Sequence, residues 1–186
     1  MILASASPRR ADLLTDAGIE FEIAASSIDE TPRDNEPAAE YVLRVARDKA
    51  TAIRKQYLDG RPILAADTVV VAGGRLLGKP ADRAEARVML NLLSGSVHEV
   101  LTGVVLMYDN REAAEVATTR VRFVPMTEAD INWYIETGEA DEKAGAYAIQ
   151  GRASRYVDWI EGSWSNVVGL PVATVYRLLR DAHVLC

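Results

Sequence analysis

Apolar residues recur along the chain in two rhythms. Met1 to Ala4, Phe21 to Ala25 and Pro62 to Asp67 are short apolar-rich runs that predict strands, the last ending on an acid. Val69 to Ala72 and Arg75 to Leu77 flank Gly73-Gly74 and predict a hairpin. Val97 to Tyr108 and Ala113 to Val124 are longer β runs around Asp109-Asn110, a second hairpin. Ala146 to Ile149 and Tyr156 to Ile160 read as further strands.

Between these runs the spacing turns helical. Ser7 stands as an N-cap with Pro8 at the first helical position, so a helix runs to about Asp16 and stops at Gly18. Ser26 to Asn35 is a polar loop, and Glu36 to Tyr57 a long helix. Asp82 to Leu93 is amphipathic with Asp82 as cap, Thr127 to Thr137 is capped by Thr127, and Val172 to Ala182 closes the pattern. The order predicts an α/β fold: a mixed sheet with flanking helices, bent into two lobes around a central cleft.

Composition narrows the class. With 186 residues, 49% apolar and 26% charged, the chain suits a single domain spanning 1–186. Its only cysteine is Cys186, so no internal disulfide forms and a reducing compartment is expected. The apolar start at Met1 to Ala4 is too short for a signal peptide or a membrane span, which places the chain in the cytoplasm without a membrane partner. A net charge of -6 argues against long nucleic acids as partners. It leaves room for a small phosphorylated ligand, which needs only a few convergent cations.

Five segments carry candidate chemistry. Ser5 to Arg10 joins a strand to a helix, where free backbone N–H groups and two arginines suit a phosphate; an ordinary cap with solvated arginines is the plainer reading. Lys49 falls on the same helical face as Val42, Ala46 and Ile53, whereas Arg44, Arg47 and Arg54 lie away from its centre as solvated charges. A lysine in that stripe either snorkels at the core's rim or meets a buried anion. Asp67 closes an apolar run, and no helix starts there for it to cap. Gly78-Lys79-Pro80 puts a lysine on a restricted loop, and Asp141 to Gly151 carries Lys143 and Gln150. His98 and His183 have no zinc-type spacing, no P-loop or dinucleotide fingerprint is present, and the three tryptophans read as core or interface residues.

In order, Leu3-Ala4-Ser5, Ser7-Pro8-Arg9-Arg10, Asp29-Glu30, Lys49-Ala50, Ala66-Asp67-Thr68, Gly78-Lys79-Pro80, Leu93-Ser94-Gly95, Asp141 to Gly145, Ile149-Gln150-Gly151 and Val168 to Pro171 resemble the Maf family of nucleotide pyrophosphatases. The ordered set is far more specific than any member, and it spans nearly the whole chain. The resemblance implies an elongated α/β fold with a cleft, similar to inosine triphosphate pyrophosphatases. It implies hydrolysis of a nucleoside triphosphate at the α–β phosphoanhydride bond, assisted by a divalent metal cation, Mg²⁺ or Mn²⁺. Asp67 is the implied acidic catalytic residue, and Ser7, Arg10, Glu30, Lys49, Lys79 and Lys143 fall where the family lines its cleft.

Cations and a metal meet the charge that develops on leaving pyrophosphate. Glu30 and Asp67 have the oxygen ligands these metals prefer, and Asp67 can equally orient or deprotonate water. The resemblance also suggests a homodimer. Arg9, Thr68 and Gln150 match its dTTP/UTP branch, extended to modified pyrimidines, rather than its 7-methyl-GTP branch, which has Trp, Gln and Glu there. A nucleotide-binding regulator of septum formation is the reading from another class.

Overall fold

Seven strands build one mixed sheet in the computed structural model, which describes residues 1–185; Cys186, read above as the lone thiol, lies outside the described residues. The elements are β1 (Ile2–Leu3), α1 (Pro8–Asp16), β2 (Glu22–Ile23), α2 (Ala38–Arg54), β3 (Ile63–Ala72), β4 (Arg75–Leu77), α3 (Arg83–Leu93), β5 (Val97–Tyr108), β6 (Arg111–Phe123), α4 (Glu128–Glu136), β7 (Val157–Glu161), α5 (Trp164–Val168) and α6 (Val172–Asp181). The strand order is β2-β1-β3-β5-β6-β7, with β4 paired to β3. β1 runs parallel to both β2 and β3, while β4 on β3 and β7 on β6 are antiparallel. The expected mixed α/β architecture is therefore present.

The chain divides into two compact units. One holds residues 1–68, 102–117 and the chain from Gly169 onward; the other holds Val69–Leu101 and Thr118–Val168. In the first, α2 lays Ala46, Ala50 and Ile53 against Ile2, Ala4, Ile63, Ala65 and Val105. Full burial of a side chain such as Ile53 contributes roughly 1.5–3 kcal/mol, so this one face secures much of the helix. In the second, Leu90 and Leu93 of α3 and Ile131 and Tyr134 of α4 are fully buried, as is Phe123 of β6.

Five local expectations change. Ser7 is extended but its side chain makes no capping bond; instead its own N–H donates to Ser5 Oγ at 3.2 Å. α2 begins after Pro37, because the residue before a proline is pushed out of helical geometry. Glu36 is thereby free to pair with Arg44, whose side chain is only 15% exposed and is not a solvated charge. β3 runs unbroken through Asp67, so that acid sits mid-strand, not at a strand end. Residues 146–149 are not a strand. Gly145 and Ala146 take φ of 68° and 58°, which breaks the pleat, and Ala148 N–H donates to Tyr134 Oη rather than to a neighbouring strand.

Candidate active site

The first unit gathers two polar clusters around β3. Successive strand residues project to opposite faces, and the partners of Asp67 and Thr68 differ accordingly. Asp67 meets α2: Lys49 Nζ donates to its Oδ1 at 2.7 Å. The same ammonium lies 2.9 Å from Glu30 Oε1. Lys49 and Asp67 are 10% and 8% exposed in their side chains, whereas Glu30 is 48% exposed. The stripe lysine of α2 thus meets an anion. Tyr41, also on α2, donates from Oη to Glu30 O at 3.0 Å and so ties the acidic loop to the helix. Burial pushes the Tyr41 hydroxyl up to about 12, with Asp67 and Glu30 adding to the shift, so it stays a donor at neutral pH.

Thr68 meets α1 instead. Arg10 is buried, and its Nε donates to Gly169 O at 2.8 Å, Nη1 to Ser5 Oγ at 3.1 Å and Nη2 to Thr68 Oγ1 at 3.1 Å. Burial lowers the Arg10 pKa and Asp67 opposes that shift; an arginine remains charged throughout. Ser7 and Arg9, beside it at the start of α1, are half-buried. Ser5, Tyr41, Thr102 and Gly169 are members that sequence reasoning did not assign. Gly169 carried a signal, since it precedes Leu170-Pro171 and takes a φ of 128° that side-chain-bearing residues avoid.

The second unit carries the remaining candidates. Lys79 Nζ donates to Glu142 Oε2 at 2.9 Å on the surface. Lys143 Nζ donates to Asp141 O at 3.1 Å. Gly145 N–H donates to Gly78 O at 3.0 Å, joining the Gly78-Lys79-Pro80 loop to the 141–151 segment. Gly145 has a φ of 68°, and a Cβ there would stand 2.9 Å from Val70, so no other residue fits without a shift. Tyr147 anchors the segment from below: its Oη lies 2.9 Å from His98 Nε2, within a cluster of edge-on rings that includes Phe123. Gln150 is exposed on the turn that follows.

Glu30 and Asp67 both turn oxygen atoms onto the Lys49 ammonium, and carboxylate oxygens are the donor type that Mg²⁺ and Mn²⁺ take. Among the described residues there is no group of three or more acidic, histidine or cysteine ligands. Two carboxylates could hold Mg²⁺ or Mn²⁺ only if phosphate and water supplied the remaining ligands.

The molecule is thus a mixed α/β protein with a buried lysine–carboxylate pair and a buried arginine at a helix start. Residues 1–182 match the family model for Maf-like proteins, and the chain belongs to the Maf family. It is 51% identical to a protein of Anaeromyxobacter sp. named dTTP/UTP pyrophosphatase, over 98% of this chain and 89% of that one. Proteins of the same name from Koribacter versatilis and Symbiobacterium thermophilum are 48% and 49% identical, covering 100% and 97% of this chain and 95% and 93% of theirs. Among solved structures, the Staphylococcus aureus Ham1 protein aligns at 12% identity and a TM-score of 0.44, over 66% of this chain and 70% of that one.

Proposed function

We propose that this chain hydrolyses dTTP and UTP, and pyrimidine variants such as 5-methyl-UTP or pseudo-UTP, to the nucleoside monophosphate and pyrophosphate. The observation that carries the chemistry is Asp67, buried and held at 2.7 Å by Lys49 with Glu30 alongside. The names of relatives about half identical over nearly the whole chain support the substrate. The proposal takes residues 1–186 as a single catalytic domain.

Water attacks the α-phosphorus, its bond to the α–β bridging oxygen breaks, and the electron pair leaves with pyrophosphate. Asp67 orients the water or accepts its proton. Lys49, once phosphate competes for it, exchanges a carboxylate partner for a phosphate oxygen. Ser7 and the N-terminal N–H groups of α1 add neutral donors, and the remaining Nη protons of Arg10 add charged ones. Lys79 and Lys143 supply further cations; their assignment to the same triphosphate rests on family membership. A divalent cation held by Glu30 and Asp67 would supply Lewis-acid stabilisation of the charge on the phosphates.

Base selection is assigned to Gln150, with Arg9 and Thr68. A Gln amide both donates and accepts, which matches the carbonyl and N3–H edge of uracil and thymine. Among the described residues, no helix is long and apolar enough to cross a membrane. A cytoplasmic homodimer belongs to the same proposal, and light scattering at several concentrations reads the assembly.

The test is the purified chain with dTTP, UTP and 7-methyl-GTP in Mg²⁺ and in Mn²⁺. Monophosphate and pyrophosphate in equal amounts are expected, with the highest kcat/KM on dTTP and UTP. Stepwise release of orthophosphate would refute the bond assignment. Nucleotide binding without turnover would move the chain to a regulatory class.

A further inference from the structure

The hydroxyl of Thr68 has three protein partners. Arg10 Nη2 donates to it at 3.1 Å, it donates to Gly169 O at 3.3 Å, and Thr102 Oγ1 lies 2.9 Å away. A threonine hydroxyl has a single proton and two lone pairs. With the proton on Gly169 O, Thr102 becomes the donor in the remaining contact, and Arg10 and Thr102 take both lone pairs. Nothing of the Thr68 hydroxyl is then left for a ligand. Thr102 is fully buried on β5, so it acts from behind this network. The Gly169 carbonyl closes the loop, since it accepts from Arg10 Nε as well as from Thr68.

We propose that the Thr102–Thr68 hydroxyl pair positions the guanidinium of Arg10 for a substrate phosphate, and that Thr68 itself makes no contact with the nucleotide. The role given to phosphate rests on the triphosphate reading above. Arg10 Nη1 and Nη2 each make a bond inside the network, which leaves the second proton of each for a ligand. Those protons are useful only if the guanidinium plane is held still, because a charged bond to phosphate depends on direction as well as charge. Thr102 and Thr68 are positioning residues in this arrangement, and any influence of Thr68 on substrate choice passes through Arg10.

Because both hydroxyls serve one guanidinium, their losses should not add. Thr68→Val and Thr102→Val are each expected to lower kcat/KM for dTTP about tenfold, the worth of a lost hydrogen bond, and the double variant by about the same factor. Thr68→Ser and Thr102→Ser, which keep the hydroxyl, should restore most of the rate. Multiplying losses in the double variant would overturn the proposal. A readout without substrate separates this from the enzymatic reading: the ¹⁵N resonance of Arg10 Nε–H should exchange slowly with water in the wild type and faster in both Val variants. Unchanged exchange would overturn the proposal even in an active enzyme. A wild-type chain that hydrolyses no triphosphate would sink the functional reading and leave this measurement valid. Should Thr102→Val fail to fold, a crystal of the wild type with a non-hydrolysable dTTP analogue decides. Thr68 Oγ1 within hydrogen-bond distance of the nucleotide overturns the proposal, and Arg10 on a phosphate with Thr68 still bound to Gly169 and Thr102 supports it.

Discussion

Lys49 donates to Asp67 across 2.7 Å, and both side chains are about nine-tenths buried. In a low-dielectric setting each charge depends on the other, because an isolated buried charge is costly. Lys49→Met is therefore expected to destabilise the protein by about 3 kcal/mol, by stranding Asp67. Adding Asp67→Asn should recover most of that loss in a chemical denaturation series. Asp67→Asn alone keeps an acceptor for Lys49, whose charge Glu30 still neutralises from 2.9 Å, and it keeps the shape of the site. It should retain its melting temperature while losing at least about 100-fold in kcat, the usual scale for a general acid–base group. Full turnover in a folded Asp67→Asn protein would remove Asp67 from the chemistry.

Lys79 differs from Lys49 in exposure. Its side chain is 62% exposed, and that of its partner Glu142 78% exposed, so water screens the pair and stability gains little from it. Lys79→Ala should leave the melting temperature at the wild-type value. KM for dTTP should rise several-fold, since a single charge-assisted contact to phosphate is lost. The wild-type KM should itself rise between low and physiological salt, where exposed charges are screened. A variant that loses melting temperature in step with activity would make Lys79 structural.

The helices and Asp67 were readable because they depend on local pattern, whereas Glu30 came only with the family resemblance. Val42, Ala46, Lys49 and Ile53 recur at helical spacing, and the structure buries all four on α2. Asp67 stood out as an acid in an apolar run, although the run continues past it as β3. Residues 146–149 misled because alternation looks alike in a strand and in a turn. What decides is the positive φ of Gly145 and Ala146 and the contacts of Tyr147 with His98, which are tertiary. Thr102 was illegible for the same reason. In Val100-Leu101-Thr102-Gly103 it is an ordinary β-run threonine, and its meaning appears only when residues 10, 68 and 169 converge on it through Thr68.

His98 is expected to give the fold a pH dependence between the ordinary histidine range and about pH 4. Burial depresses its pKa from 6.5 to about 4, and its Nδ1 has no hydrogen-bond partner among the described residues. The folded state therefore holds His98 neutral at pH values where an unfolded chain would bind a proton. Stability is fully present above about pH 6.5 and is lost as pH falls toward about 4. The linked loss is on the order of 3 kcal/mol once both values are passed. Melting curves from pH 7 downward should show this decline in the wild type, since it spans the window set by the two pKa values. His98→Gln, which can still bond Tyr147 but does not titrate, should flatten it. Identical slopes in both proteins would assign the dependence elsewhere.

Gln150 offers the sharpest test of substrate choice, because it is exposed on the 149–151 turn and its replacement should not disturb the core. The turn is set by backbone, with Gly151 N–H donating to Ala148 O at 3.1 Å. The side chain is then available to read a base. As an amide it pairs with an edge that has both a carbonyl and an N–H, as uracil and thymine do. A carboxylate only accepts, so Gln150→Glu would face the base carbonyl with a negative charge, while adjacent N–H donors of guanine would suit it better. Gln150→Glu is expected to lower kcat/KM for dTTP and UTP by about 10- to 100-fold, the discrimination given by a mismatched buried polar contact. The value for 7-methyl-GTP should hold or rise, so the ratio of the two substrates shifts toward guanine. The melting temperature should stay within a degree or two of wild type, as expected for an exposed substitution. An unchanged ratio in an equally stable variant would show that Gln150 does not read the base, and would return the choice to Arg9 at the start of α1.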